Sequence, residues 1–169
     1  MSSSQQFCTF FLDGNFFGAP AVNVQEVIRS LPLTRVPLAP EVIAGLINVR
    51  GQIVPVLDLR RRLGFHEGSY CPLPVNVVVR VGDCAVSLLV DEIGDVVEVP
   101  DEAFESPPAT LHGSVCDLLR GVYKLPGRLL LVLDLDRVID LERSLPGTSH
   151  DCGRDDPKVQ LPNTARRVQ

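Results

Sequence analysis

Apolar and polar positions alternate along most of this chain in short runs separated by turn residues. Val77, Val79 and Val81 fall on one face of an extended segment, and Asn76, Val78 and Arg80 fall on the other. Leu129 to Leu133 is apolar on both faces, the pattern of a strand covered on two sides. Phe7 to Leu12 and Asn15 to Ala19 flank Asp13-Gly14, a compact turn signal, so they predict a hairpin. Val75 to Val81 and Cys84 to Val90 flank Gly82-Asp83 and predict a second one.

The segments after the two hairpins are also alike. An acidic segment comes first, Val24-Gln25-Glu26-Val27-Ile28 in one case and Val90-Asp91-Glu92-Ile93 in the other. A proline-marked crossing comes next, at Pro37 and Pro40, then at Pro100, Pro107 and Pro108. A glycine-punctuated strand pair closes each half: Gly45 and Gly51 correspond to Gly121 and Gly127, and Val56-Leu57-Asp58-Leu59 corresponds to Val132-Leu133-Asp134-Leu135, all at an offset of 76 positions. The chain therefore reads as two copies of one β-rich module, an architecture better suited to a docking surface than to an enzyme. The second copy is longer, and its extra length is expected as a loop from Asp101 to Leu119.

Three short helices are expected. Pro40 to Ala44 reads as one turn before Gly45. Asp58 is placed to cap a turn through Leu63 with Gly64 as its stop, and Asp134 or Asp136 is placed to do the same before Ile139. The segment 144–169 carries five Pro and Gly residues, few apolar ones and no period, and is expected to be disordered.

Composition narrows the function. With 169 residues, 45% of them apolar, the chain can bury a real core, but tryptophan is absent and aromatics are scarce, so Val, Leu and Ile must build it. The 13 Gly and 14 Pro fit short strands with many turns. A net charge of −5 supplies no basic face for nucleic acid, and the cluster Arg60-Arg61-Arg62 reads as a solvated helix face. No stretch approaches the ~20 apolar residues of a membrane span, and the N-terminus lacks a secretory pattern, so the expected compartment is the cytoplasm. Five cysteines at irregular spacing, with no C-x-x-C pair, support neither a zinc site nor a disulfide framework; Cys8 and Cys84 are expected as small core residues.

Catalytic chemistry finds little support. His66, His112 and His150 fall in predicted loops or the tail, with no nucleophile elbow and no glycine-rich phosphate loop to accompany them. No cofactor and no metal are expected. Asp134, at the end of an apolar strand, allows one alternative, a phospho-accepting regulator; but no second acidic pair at a strand end accompanies it, and Asp58 at the equivalent place points to a repeated capping role. Arg50 stands out because it lies between the apolar run Leu46 to Val49 and Gly51, where a free guanidinium would be costly to bury. Glu26, acidic within an apolar segment, is its expected partner in a charge-assisted pair. The alternative is that both side chains face water.

The segments VNVQEVI (Val22 to Ile28), TRVPLAPEVIAGLINVRGQIVPVLDLRRRLG (Thr34 to Gly64), LLVDEIGDVVEVP (Leu88 to Pro100) and RLLLVLDLDRVI (Arg128 to Ile139), in this order and spacing, resemble the CheW family of chemosensory adaptors. The resemblance implies two SH3-like barrels of about five strands each around a joint core, spanning roughly 7–142. The first barrel would cover 7–70 and the second 72–142, with exchange of a strand between them allowed. It implies a non-catalytic scaffold that couples chemoreceptor cytoplasmic tips to the regulatory domain of a CheA-type histidine kinase, at membrane-associated receptor arrays but with no insertion into the bilayer. The positions it assigns to partner binding are Val24, Glu26 and Val27, then Asn48, Arg50 and Gly51, then Val90, Asp91 and Glu92. Two features depart from the family pattern, the length of 101–119 and the tail after Arg143.

Overall fold

The computed structural model describes residues 3–29, 31–65, 73–111 and 113–141. The expected tail 144–169, the three histidines, Cys71 and Cys152 lie outside the described residues. Eleven strands, β1 (Ser4–Leu12), β2 (Asn15–Pro20), β3 (Val24–Arg29), β4 (Ile43–Val49), β5 (Gln52–Asp58), β6 (Val75–Val81), β7 (Cys84–Val90), β8 (Glu92–Pro100), β9 (Phe104–Glu105), β10 (Leu119–Leu125) and β11 (Arg128–Leu133), account for most of it. Three five-residue helices, α1 (Leu59–Leu63), α2 (Ser114–Leu118) and α3 (Leu135–Ile139), complete the set, together with two single 3₁₀ turns. No helix among the described residues is long and apolar enough to cross a membrane.

The strands form two sheets, ordered β8-β1-β2-β11-β10-β9 and β3-β6-β7-β5-β4. If β1, β2, β8, β10 and β11 are replaced by their repeat counterparts β6, β7, β3, β4 and β5, the first order becomes the second, with β9 as an extra edge. Each sheet therefore takes its hairpin from one half of the sequence and its other long strands from the other half. The sheets do not divide at residues 70–72; the halves exchange their hairpins reciprocally. The packing explains why. Phe10, Leu12, Phe17 and Ala19 of one hairpin and Val77, Val79, Leu88 and Val90 of the other lie fully buried in a single cluster, which also takes in Leu57, Leu59, Leu133 and Val138. In the exchanged arrangement the apolar faces of both hairpins meet in that one core.

Two smaller clusters fill the sheets' inner sides, Phe7, Phe16, Val99, Tyr123, Leu130 and Val132 in the first and Ile47, Val54, Val56 and Val78 in the second. The alternation along β6 sorts accordingly, with Val77 and Val79 in the shared core and Val78 inside its own sheet.

Several expectations are corrected. The hairpin signals imply antiparallel pairing throughout, but β2 runs parallel to β11 and β5 parallel to β7. Hairpin turns fix the pairing of sequence neighbours, but these two contacts join strands from different halves. The sheets hold six and five strands rather than five each, because the expected loop 101–119 contains a 3₁₀ turn, β9 and α2. Pro40 to Ala44 is a turn, not a helix: Ile43 N donates to Pro40 O at 2.9 Å, and Ile43 then pairs with Leu57 in β4–β5. Cys84 is exposed beside the β6–β7 turn, while Cys8 is half-buried and its burial raises the thiol pKa. In β11 the two-sided cover begins at Leu130, and Leu129 is exposed.

Candidate partner-docking site

The β4–β5 hairpin turns at Arg50-Gly51 with φ of 51° and 85°, both positive as a tight type I′ turn requires. Asn48 stabilises it: its Oδ1 accepts from Gly51 N at 2.8 Å. The turn leaves the Arg50 side chain 82% exposed, so the expected burial of its guanidinium does not occur. The expected pairing does. Arg50 Nη2 donates to Glu26 Oε1 at 3.2 Å, and the Glu26 side chain is 30% exposed. Glu26 lies on β3 and Arg50 follows β4, the opposite edges of one five-stranded sheet. The sheet must therefore curl until its edges approach, and the bridge between Thr34 and Leu46 helps close the same seam.

Around this pair, Val24 packs against the shared core, whereas Val27 on β3 and Ile53 on β5 are exposed by 40% and 59%. The repeat supplies a counterpart in the other sheet. Leu129, 76 positions after Ile53, is also exposed, as is Val96 on β8. Val27 pairs with Val77 on β6 and Val96 pairs with Cys8 on β1, with a bulge just before each. The 76-residue offset could have located Leu129 from Ile53, but nothing in the local sequence marks either as exposed.

Val90, Asp91 and Glu92 do not join Glu26 and Arg50. They link β7 to β8 at the far end of the sheet, since Asp58 pairs with Leu89 there while Arg50 precedes the start of β5. Seven strand residues at ~3.3 Å each put them about 20 Å from Arg50, while Glu26, level with Ser87, lies three residues along β7 from Val90. Val90 is buried, Glu92 is exposed, and Asp91 is held by Arg60.

Sequence reasoning missed that hold. Arg60 Nε donates to Asp91 Oδ1 at 3.1 Å, its Nη2 donates to Asp91 Oδ2, and its Nη1 donates to Asp13 Oδ1 at 3.1 Å. Asp13 N in turn donates to Asp91 Oδ2 at 2.9 Å. The hydrogen bond it donates to Asp91 is the main reason the Arg60 pKa lies above its ordinary value. The triplet Arg60-Arg61-Arg62 is thus three ties rather than a solvated face. Arg61 N and Nε meet the Asp58 carboxylate and Nη1 donates to Glu41 O at 3.3 Å. Arg62 donates to the carbonyls of Val138, Arg137 and Asp140 at the end of α3, at 2.7 to 2.9 Å, and its burial lowers its pKa.

Asp134 caps α3 by accepting from Arg137 N at 3.2 Å, as Asp58 caps α1 by accepting from Arg61 N at 3.3 Å. The correspondence continues outward: Arg137 Nη1 donates to Asp117 O, and Asp117 lies 76 positions after Glu41. Of the two candidate caps, Asp134 is the one used, and Asp136 sits within the helix.

Gly51→Ala is expected to destabilise the fold by about 1 kcal/mol, because the positive φ disfavours a Cβ although no atom lies within 4 Å of where it would stand. Gly51→Asn should recover most of the loss in a urea melt.

The model of the CheW-like domain matches residues 6–143. Among curated proteins, the chemotaxis protein CheW of Bacillus subtilis is 28% identical over 144 residues, 85% of this chain and 92% of that protein. The chemotaxis protein CheW of Klebsiella aerogenes is 30% identical over 138 residues, 82% of this chain and 83% of that protein. Among solved structures, the scaffolding protein TtCheW from Thermoanaerobacter tengcongensis superposes with a TM-score of 0.74 at 24% identity, over 82% of this chain and 94% of that one.

Proposed function

The chain belongs to the CheW-like domain family, and from that membership we propose that it is a non-catalytic adaptor coupling chemoreceptor cytoplasmic tips to a CheA-type histidine kinase, working in the cytoplasm at receptor arrays. The observation that carries the reading is the Glu26–Arg50 pair, which bridges the two edges of one sheet beside exposed Val27 and Ile53. Such a surface presents apolar area with one charge of each sign, and a receptor helix can cover it with its apolar face. Val24, Val27, Asn48 and Gly51 shape this surface, and Arg50 and Glu26 set the register of the helix on it. Val90, Asp91 and Glu92 form a second contact point at the far end of the sheet, with Glu92 open to a partner. Control then comes from geometry: an adaptor gripped at both ends passes a small receptor displacement to the kinase as a change in the population of its states.

A charge-swap cycle tests the first contact. Arg50→Glu alone and Glu26→Arg alone are each expected to weaken binding of a receptor tip fragment by about tenfold, and the double variant should recover part of that loss. Additive losses would show that the pair does not act as a unit. Undiminished binding in either single variant would remove these residues from the interface.

A further inference from the structure

A cavity of about 470 Å³ opens at the far end of the five-stranded sheet, where β3 ends and β7 passes into β8, with Asp91 and Glu92 of the second contact point in its wall. Leu31, Ile47, Leu89 and Ile93 are among its walls, and Leu33 and Leu73, 44% and 76% exposed, also line it. Asn76 lies among these apolar groups. It pairs with Ile28 on one side and Leu89 on the other, and its side chain lies on the face of β6 opposite Val75 and Val77, the face it shares with Val78 inside the sheet. Asn76 is only 5% exposed. Its Oδ1 accepts from Ser87 Oγ at 3.0 Å, while its Nδ2 donates to none of the described residues. No buried side-chain nitrogen or oxygen among them is shut off without a partner, so this amide opens onto the cavity that Asn76 lines. Burying an amide in an apolar wall costs free energy unless something accepts its hydrogens.

The cavity also carries two charges with no ion-pair partner among the described residues, Arg29 at the end of β3 and Glu92 at the start of β8. Together these groups specify a ligand: an apolar body for the walls, a terminal oxygen to accept from Asn76, and a head bearing a carboxylate for Arg29 and an ammonium for Glu92. The volume is in the range of small-molecule sites. We propose that this cavity binds a free α-amino acid of tyrosine's size and chemistry, as an effector site that shares Glu92 with the second contact point. The assignment rests on the cavity's own lining and not on the adaptor reading, and tyrosine binding and receptor-tip binding are measured separately, so the failure of one is distinguishable from the failure of the other.

Saturation-transfer NMR on the full chain with L-tyrosine, L-phenylalanine and tyramine tests it. Tyrosine should bind, phenylalanine should bind about tenfold more weakly for want of the hydroxyl, and tyramine should lose a similar factor for want of the carboxylate. Arg29→Gln, a change at an exposed strand end, should bring tyrosine down to the level of tyramine, and Asn76→Leu should remove the preference over phenylalanine. No saturation transfer to tyrosine at ~1 mM, a concentration its limited solubility allows, would overturn the assignment. So would equal binding of the three compounds, or tyrosine binding unchanged by Arg29→Gln.

Discussion

Replacing Gly121 by valine should destabilise the protein by about 3 kcal/mol, at the upper end of what overpacking costs, and lower its midpoint temperature by about 10 °C. A Cβ at this position would stand 2.7 Å from the carbonyl oxygen of Glu105 and closer still to the Phe104 ring. Phe104 can swing aside, since it is 40% exposed, but the Glu105 backbone cannot move without giving up its pairing with Val122. Gly45, at the equivalent position of the other half, is crowded in the same way. Its Cβ would stand 2.5 Å from the Thr34 carbonyl oxygen, at the bridge that Thr34 makes with Leu46. The repeated glycine thus marks the place where the returning chain crosses the glycine-punctuated pair and closes the sheet. Gly121→Val should also speed hydrogen exchange at Val122 and Tyr123, which pair with β9. A midpoint within a degree or two of the parent protein would show that β9 gives way at no cost and that the crossing is not structural.

The features legible in the sequence are the local ones. Asp13-Gly14 and Gly82-Asp83 each join strands that pair immediately with each other, so their hairpins could be read directly from turn chemistry and alternation. Asp58 and Asp134 cap because an acidic residue three positions before a free backbone N–H needs no distant partner. The exchange of hairpins was not legible, because the same apolar faces of β1 and β6 satisfy either connectivity until the shared core decides between them. Glu26 and Arg50 were found for a partly mistaken reason: the pair exists, but at a rim exposed by the turn, not in an apolar interior. Arg60, Arg61 and Arg62 were misread because a run of like charges carries no record of the three different elements that each one reaches.

Arg60→Met is the second large effect expected, about 2 kcal/mol. The Arg60 side chain is 18% exposed and the Asp91 side chain 21%, so the pair stands between a surface salt bridge, which is worth little, and a buried one, whose breakage costs several kcal/mol. Methionine keeps the apolar stem but leaves Asp91 and Asp13 facing each other with no cation between them, although Asp13 N still donates to Asp91. The bidentate contact fixes the bend between β7 and β8, so its loss should also loosen Glu92, the exposed member of the second contact point. The pH dependence comes from the direction of the Arg60 shift. A group whose pKa is raised on folding stabilises the fold fully below its unfolded value and loses that contribution only as the pH climbs through the folded one. For an arginine that window lies far into alkali. The deficit of Arg60→Met should therefore stay constant from pH 6 to pH 9, in calorimetric melts at fixed ionic strength. It should shrink at high salt only as far as the partly exposed Asp13 arm is screened. A deficit that varies strongly across that neutral window would mean that the guanidinium is not the group being lost, and that the bend is held by something other than this pair.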